Sequence, residues 1–354
     1  METRHRILEA DARDLRELSH ESVHLVVTSP PYPMIAMWDA AFAELDPQIG
    51  ERIAVDDPIA ALDAFEAMHG ILDAAWSECA RVLAPGGMLC IDVGDATRTV
   101  GGRFRCYPNA ARVTSTVMRL GFDPLPAILW RKPTNAPNKF MGSGMLPPGA
   151  YVTYEHEHVL LFRKGSPRVL RTAEDRERRA KSAYFWEERN VWFSDLWTLG
   201  SVAQGLDDPD RSRSGAFPFE LAFRLVAMFS LYGDVVLDPF AGTGTTCRAA
   251  LALGRSSIGV ERVSSLATMA RRSLDATREG VERVARRLSD HETFLRGRTL
   301  KHWNDILGLA VTTTQETALE LWSPIATRRG EEALVVDYAR IARDRVPVLE
   351  SLPG

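Results

Sequence analysis

Cysteine is scarce in this sequence, and long apolar runs are missing. The four cysteines, Cys79, Cys90, Cys106 and Cys247, lie far apart, without a CxxC pair or a histidine at metal-ligand spacing. This pattern favours neither a zinc site nor a disulfide framework, and we expect small buried cysteines in a reducing cytoplasm. No segment approaches the roughly 20 apolar residues that a membrane-spanning helix needs, and the first residues are charged. We therefore expect neither secretion nor membrane insertion.

An excess of positive charge is also missing. The chain has 43 Lys and Arg residues against 47 Asp and Glu residues, a formal net charge of −4 at pH 7. Nucleic-acid binding depends on Lys and Arg contacts to phosphates, so the overall charge does not indicate it, although a basic face can coexist with acidic helices. Residues 163–189 are rich in Lys and Arg but also contain Glu174, Asp175 and Glu177. This segment predicts either a solvated, salt-bridged helix or a basic DNA contact.

Short apolar runs alternate with helical periodicity through most of the chain. Residues 23–27 form a β-branched run that stops before two prolines, which predicts a buried strand ending in a rigid loop. Apolar residues recur at helical spacing over residues 57–83, and Pro85-Gly86-Gly87 separates them from a strand at 88–93. Further helices are predicted at 110–120 and 245–253, and further strands at 127–130, 158–162, 235–237 and 257–261. This alternation predicts a wound α/β sheet.

Three segments depart from this alternation. Residues 132–151 are rich in Pro, Gly and Asn, and a loop of that length is usually functional or mobile. Residues 184–197 contain an aromatic cluster, which we interpret as core packing. The tail, from about residue 285, predicts a helix, a hairpin-like stretch at 318–338 and a final helix.

A glycine-containing turn at residues 238–246 predicts a ligand site between a strand and a helix. Its glycines let the backbone approach a ligand, and the helix N-terminus presents unpaired amides. The turn lacks the Lys-Ser/Thr pair of a P-loop, and Cys247 stands where the dinucleotide fingerprint has its third glycine, so ATP hydrolysis and NAD chemistry are disfavoured. S-adenosylmethionine fits better, because amides suit its methionine end. Glu261, at the tip of the next strand, is either a ribose ligand, which we favour, or a surface acid.

The segment Ser29-Pro30-Pro31-Tyr32 predicts a site for an amine. Prolines fix the backbone and donate no hydrogen bond, so the preceding carbonyls are free to accept one. Ser29 Oγ and the Pro30 carbonyl are suited to hold an exocyclic base amine, and Tyr32 offers a flat face for a flipped base. Taken alone, the segment is equally compatible with a plain turn. Carbon-5 methylation of cytosine needs a thiolate, usually in a Pro-Cys pair, and the sequence has no such pair.

The two loops together resemble the amino-methyltransferases of DNA, which combine a [DNS]-P-P-[YFW] catalytic loop with an F-x-G-x-G cofactor loop. Here these are Ser29-Pro30-Pro31-Tyr32 and Phe240-Ala241-Gly242-Thr243-Gly244. The catalytic loop comes first, as in the β class, and the resemblance extends over roughly residues 7–275. It implies a Rossmann-like α/β methyltransferase fold with a mostly parallel seven-stranded sheet, circularly permuted, and an inserted target-recognition region.

The resemblance also implies roles for individual residues. Asp11 matches the contact to the cofactor's adenine amine, although Ala10 replaces the usual glycine, and Phe217-Pro218 resembles a helix start that covers the methionine moiety, although Gly215-Ala216 replaces the usual His-Pro. The implied catalytic residues are Ser29, Pro30, Pro31 and Tyr32. The implied cofactor-binding residues are Asp11, Thr28, Phe217, Pro218, Asp238, Pro239, Phe240, Ala241, Gly242, Gly244, Thr245, Thr246 and Glu261. No metal is expected, because direct methyl transfer depends on positioning.

A four-part organisation follows from the same resemblance. The expected parts are a catalytic part (1–131), a loop and target-recognition region with one core strand near 158–163 (132–214), a cofactor-binding part (215–280) and a C-terminal extension of unknown role (281–354). Candidate DNA contacts are Lys132, Asn135, Asn138, Lys139, Arg168 and Arg171.

Serine at the first loop position favours cytosine-N4 as the target, since it is commoner among those enzymes of the family. The alternatives are adenine-N6 and, because the Pro-Pro loop also serves those amines, RNA or a protein amide. A catalytically inactive DNA-binding module is less favoured, because both loops are intact. The expected partners are double-stranded DNA, a cognate restriction endonuclease and a second copy of the chain, in the cytoplasm.

Overall fold

The fold is built on one large mixed β-sheet flanked by helices. The computed structural model describes residues 1–132, 141–200, 217–275, 277–330 and 332–342. The strands are β1 (Glu2–Glu9), β2 (Val23–Thr28), β3 (Leu83–Val93), β4 (Ala96–Val100), β5 (Arg103–Tyr107), β6 (Phe122–Arg131), β7 (Met141–Gly142), β8 (Ala150–Tyr151), β9 (His156–Lys164), β10 (Leu196–Thr198), β11 (Val235–Asp238), β12 (Ser256–Glu261), β13 (His302–Asn304), β14 (Leu309–Val311), β15 (Trp322–Arg329) and β16 (Leu334–Arg340). The helices are α1 (Asp39–Leu45), α2 (Pro47–Ala54), α3 (Pro58–Val82), α4 (Asn109–Arg119), α5 (Ala173–Lys181), α6 (Trp186–Trp192), α7 (Phe219–Phe229), α8 (Thr245–Ala252), α9 (Ser264–Ser273) and α10 (Thr277–Leu295). Within the described residues, no helix is long and apolar enough to cross a membrane.

The main sheet has ten strands in the order β10-β6-β9-β3-β2-β11-β12-β1-β16-β15. Its centre, from β3 to β1, is parallel, whereas β9 and β16 pair antiparallel with both of their neighbours. The prediction of a wound α/β sheet is confirmed, but the prediction of seven strands is wrong. The difference consists of the short edge strand β10 and the hairpin β15–β16, which lies in the C-terminal extension.

Apolar residues on both faces of the central strands explain why this sheet is buried. Val26 on β2 packs in the cluster that contains the α3 side chains, while Leu25 and Val27 pack with the side chains of α7. Asp57 is the N-cap of helix α3, and its carboxylate accepts hydrogen bonds from the amides of Ile59 and Ala60. The helices on the two faces therefore sandwich the sheet, and its strand ends remain open to carry loops.

The first strand was not predicted, because two of its three buried residues are polar. Thr3 and His5 are buried where apolar residues would be expected, and their side chains hydrogen-bond to each other and to Ser257. Burial lowers the pKa of His5 to about 3, so this histidine is neutral at physiological pH.

The cysteine prediction holds in part. Cys79, Cys90 and Cys247 are buried as expected, whereas Cys106 is exposed, because β5 belongs to a two-stranded hairpin outside the main sheet.

The basic segment is helical in part, and one of its arginines is a structural residue. Helix α5 begins at a capping box formed by Thr172 and Asp175, which confirms the solvated-helix interpretation. Arg168 donates to both oxygens of the fully buried Asp234 at 2.6 and 3.1 Å. Burial acts to raise the pKa of Asp234, but the hydrogen bond from Arg168, the nearby His24 and Arg168 charges and the Leu231 amide together outweigh it and leave the pKa lowered.

Arg168 lies at the edge of the sheet opposite to the proline loop. Asp234 immediately precedes β11 and marks the amino end of the parallel strands, whereas Ser29 follows the carboxyl end of β2. The DNA contact that the sequence suggested for Arg168 stays a prediction.

The substitution Arg168→Ala tests this structural role. Removing the two hydrogen bonds leaves the buried carboxylate with the Leu231 amide and the more distant Arg178 and His24, so we expect the free energy of unfolding in urea to fall by about 2 kcal/mol at neutral pH. Because the pKa of Asp234 is lowered in the fold, this stabilisation exists above the ordinary aspartate range and is lost in acid, so the difference from wild type narrows there. Arg171→Ala, at an exposed neighbouring arginine, is the control and should change stability by less than about 0.5 kcal/mol. Equal effects of the two substitutions would contradict the assignment.

Candidate functional site

The two loops singled out in the sequence lie side by side at the carboxyl edge of the sheet. Parallel pairing of β2 with β11 sets Val26 opposite Leu237, so both strands end at the same level. Thr28 Oγ1 donates to Asp238 Oδ1 at 2.6 Å and joins the two loop bases directly. Burial raises the pKa of Asp238 to about 6, and the hydrogen bond from Thr28 acts in the opposite direction. Two loops that are far apart in the chain are therefore in contact in the fold.

Two glycines shape the cofactor loop. Gly244 has a φ of +87° and is the N-cap of α8, and a Cβ at this position would lie 2.9 Å from the Ser273 hydroxyl. Gly242 has a φ of +52°, and its amide donates to Glu261 Oε2 at 2.9 Å. The other oxygen of Glu261 accepts from the Val263 amide at 2.8 Å. These two amides fix the Glu261 carboxylate against the loop.

A cavity of about 360 Å³ opens where the two loops meet. Among the predicted residues, its lining includes Asp11, Ser29, Pro30, Pro31, Tyr32, Phe217, Asp238, Pro239, Phe240, Ala241, Gly242, Thr245 and Glu261. Thr28, Pro218, Gly244 and Thr246 support the loops without lining the cavity. Arg13 donates to both oxygens of the Asp11 carboxylate at 2.9 and 2.8 Å, which lowers the pKa of Asp11. The cavity has the size of a small-molecule site.

One wall of the cavity was not predicted from the sequence. It is formed by residues 35–45, which comprise a 3₁₀ turn at Ala36–Trp38 and helix α1. Trp38 and Phe42 from this segment lie across from Phe240 of the cofactor loop in the lining. These short helices carry too few residues for helical periodicity to identify them.

A hydrogen-bonded polar network lies beneath the proline loop. The Tyr32 hydroxyl lies 2.8 Å from Ser29 Oγ, 3.1 Å from Glu157 Oε2 and 3.3 Å from Asp92 Oδ2. Lys132 Nζ contacts the Glu157 carboxylate on its other oxygen. Tyr32 is only 7% exposed, so its ring borders the cavity while its hydroxyl points into the protein.

The phenol proton gives this network a direction. A phenol donates one hydrogen bond, and ionised carboxylates only accept, so Tyr32 donates to a carboxylate and accepts from Ser29. Asp92 is 2% exposed, and its Oδ1 has no hydrogen-bond partner among the described residues. Burial, followed by the neighbouring Glu157 carboxylate, raises the pKa of Asp92 well above its usual range. Glu157, paired with Lys132, is therefore the carboxylate that we assign as acceptor.

Sequence reasoning missed both carboxylates, although signals were present. Asp92 is an acid inside an apolar strand, which is unusual for a buried position. Glu157 precedes the apolar run of β9. Only the antiparallel pairing of β9 with β3 brings the two residues together.

The candidate DNA contacts are dispersed. Lys132 lies at the cavity, Arg171 is exposed near the opposite edge of the sheet, and Arg168 is paired with Asp234. Asn135, Asn138 and Lys139 lie outside the described residues.

Comparison with known proteins agrees with the position of both loops. The DNA methylase family model (N6_N4_Mtase) matches residues 23–272, which include both. The Type II methyltransferase M.MthZI of Methanothermobacter thermautotrophicus is 47% identical over 327 residues, 92% of each chain. M.MjaI, a Type II methyltransferase of Methanocaldococcus jannaschii, is 47% identical over 272 residues, 75% of this chain and 89% of its own.

A solved structure supports the same relationship. TTHA0409 of Thermus thermophilus, described as a DNA modification methylase and solved in complex with S-adenosyl-L-methionine, is 37% identical with a TM-score of 0.59. The match covers 76% of this chain and 94% of that protein. With a proline loop, a glycine loop and the family match over the same residues, this chain belongs to the DNA methylase family.

Proposed function

We propose that this chain is a Type II DNA methyltransferase that transfers a methyl group from S-adenosylmethionine to the exocyclic N4 of cytosine in a flipped-out base of duplex DNA. The observation that carries the proposal is the Thr28–Asp238 hydrogen bond, which holds the amine-binding loop beside the cofactor loop at one cavity. Serine at position 29 supports cytosine over adenine. A restriction endonuclease and a second copy of the chain are further predicted partners.

The residues at the cavity fit the proposed cofactor. Each oxygen of Glu261 accepts one backbone amide, which leaves lone pairs available for a ribose diol. Trp38, Phe42 and Phe240 provide apolar walls for an adenine ring, with the Asp11 carboxylate nearby in the lining. When bound, S-adenosylmethionine supplies an electrophilic methyl group on a positively charged sulfur.

The proline loop orients the target amine. Because the Ser29 hydroxyl donates to Tyr32, its lone pairs are free to accept one N–H of the amine, and the Pro30 carbonyl is available for the other. Two acceptors in fixed positions direct the nitrogen lone pair toward the methyl group. Alignment of this kind supplies much of the rate acceleration in a direct transfer.

The polar network provides a route for the proton that the amine loses. A carbon–nitrogen bond forms as the carbon–sulfur bond breaks, and the methylated nitrogen then releases one proton. Ser29 takes this proton while passing its own to Tyr32, and Tyr32 passes its proton to Glu157. Lys132 contacts the other oxygen of Glu157 and holds the carboxylate in place.

Nucleoside analysis tests the base assignment. DNA incubated with the enzyme and labelled cofactor should yield N4-methylcytosine on mass spectrometry of its nucleosides. N6-methyladenine in its place would overturn the cytosine assignment while preserving the reaction class.

The substitution Ser29→Ala tests the proline loop. It should lower the rate of methyl transfer by about 100-fold or more with cofactor affinity retained, and an unchanged rate would refute the proposed loop.

Glu261→Gln tests the cofactor site. The amide cannot accept from both the Gly242 and Val263 N–H groups, so we expect cofactor affinity in isothermal titration calorimetry to fall by about 10-fold. Glu9 pairs in register with Glu261 on β1 but does not line the cavity, so Glu9→Gln is the matched control. A similar loss in both variants would count against the ribose assignment.

Glu157→Gln tests the proton route. Glutamine retains an acceptor for the Tyr32 hydroxyl but takes no proton, so we expect kcat to fall about 10- to 100-fold with KM for the cofactor unchanged.

Two comparisons separate this role from a structural one. The exposed neighbour Glu155 pairs with Arg131, so Glu155→Gln should behave as wild type. Tyr32→Phe combined with Glu157→Gln should be no slower than the slower single variant, because both interrupt one chain. Multiplicative losses would show that the two residues act independently.

A further inference from the structure

Two hairpins stand beside the catalytic cavity at the carboxyl edge of the sheet. Hairpin β4–β5 follows directly from β3, which ends at Val93, and residues 141–155, which include β7 and β8, lead into β9, whose second residue is Glu157. Gly94, two residues before β4, packs against the polar network, because a Cβ there would be 3.2 Å from both Tyr32 Cε2 and Glu157 Cγ. We call these two segments, residues 96–107 and 141–155, the hairpin pair.

Aromatic contacts hold the hairpin pair together. The rings of Phe104 and Tyr151 stack with centroids 4.4 Å apart and an interplanar angle of 8°. Near the base of the segments, the Tyr154 hydroxyl lies 3.4 Å from Cys106 Sγ. The two hairpins therefore present one surface.

This surface combines exposed apolar side chains with arginines. Met145, Leu146 and Val152 are 84%, 72% and 89% exposed, although each is large and apolar. A single exposed apolar residue is ordinary, but several on one short segment indicate an interaction site. Arg103 and Arg105 form no ion pair with any residue that the structure describes, in contrast to Arg168.

We propose that duplex DNA binds on the hairpin pair, with Arg103 and Arg105 on its phosphates and Met145, Leu146 and Val152 against the bases beside the flipped nucleotide. The chain has a net charge of −4, but Arg103 and Arg105 are not neutralised by ion pairs with the residues that the structure describes. Two such arginines can bind the phosphates of a polyanion. Apolar side chains that insert between base steps stabilise unstacked DNA, and a base must leave the stack to reach Ser29. The inference rests on the proposed function, since it supplies the substrate to the same cavity.

The double substitution Arg103→Ala with Arg105→Ala tests the phosphate contacts. Fluorescence anisotropy with a labelled duplex oligonucleotide should show Kd raised about 10-fold or more, and the slope of log Kd against log salt should decrease by about 2. Arg272→Ala with Arg286→Ala removes the same charge from exposed positions on α9 and α10 and should leave both quantities unchanged. Wild-type affinity and slope in the hairpin variant would overturn the proposal.

The apolar tip has its own readout. Met145→Ser with Leu146→Ser should lower kcat/KM on plasmid DNA about 10-fold, while oligonucleotide affinity and its salt slope stay near wild type. If either double variant instead changes the oligomeric state in sedimentation with DNA affinity intact, the surface joins copies of the chain and the DNA assignment is wrong. Binding is measured without turnover, so a wild-type protein that binds DNA but makes no N4-methylcytosine refutes the base assignment alone.

Discussion

The parallel pairing of β2 with β11 is the constraint on which the site depends. More than 200 positions separate Ser29 from Phe240 in the chain, yet both follow strands that end at the same level. Parallel strands send their carboxyl ends to one edge, and ligand sites of open α/β sheets form there. The hydrogen bond from Thr28 to Asp238 then fixes the separation of the loops, because it is short and fully buried. The residues of the two loops thus determine their chemistry, whereas the strands that precede them, β2 and β11, determine where the loops lie.

The parts of the site that were predictable are local in the chain. Two prolines in a row and closely spaced glycines restrict backbone conformation regardless of the remaining fold, so their positions are readable directly. Asp92 and Glu157 were missed because their significance arises from the pairing of β3 with β9, which no local pattern encodes. Tyr32 shows the same limit. Its presence in the loop was predicted, but its contacts with Asp92 and Glu157 depend on tertiary structure.

Strand prediction succeeded where inward residues are apolar and failed where they are polar. In β2, Val23, Leu25, Val26 and Val27 are buried and apolar, whereas β1 buries Thr3 and His5 in a hydrogen-bonded chain with Ser257. Charge was equally uninformative. Arg168 is held by Asp234, and Arg287 donates to both oxygens of Glu188, so these two positive charges stabilise the fold. Counting arginines in a segment does not distinguish such residues from a surface that meets a ligand.

The C-terminal hairpin limits strand pairing between the sheets of different molecules. Without β16, the β1 strand that leads to Asp11 would present a row of unpaired amides and carbonyls to other chains, a template for aggregation. Because of the hairpin, the edge strand of the sheet is β15. This strand contains Pro324, its pairing register with β16 shifts between Pro324 and Ala326, and it ends with the charged residues Arg328 and Arg329. At the other margin, β10 is only 3 residues long. Both edge strands are therefore poor partners for a strand of another molecule. The C-terminal hairpin thus keeps the central strands, which carry the ligand site, from pairing with other sheets.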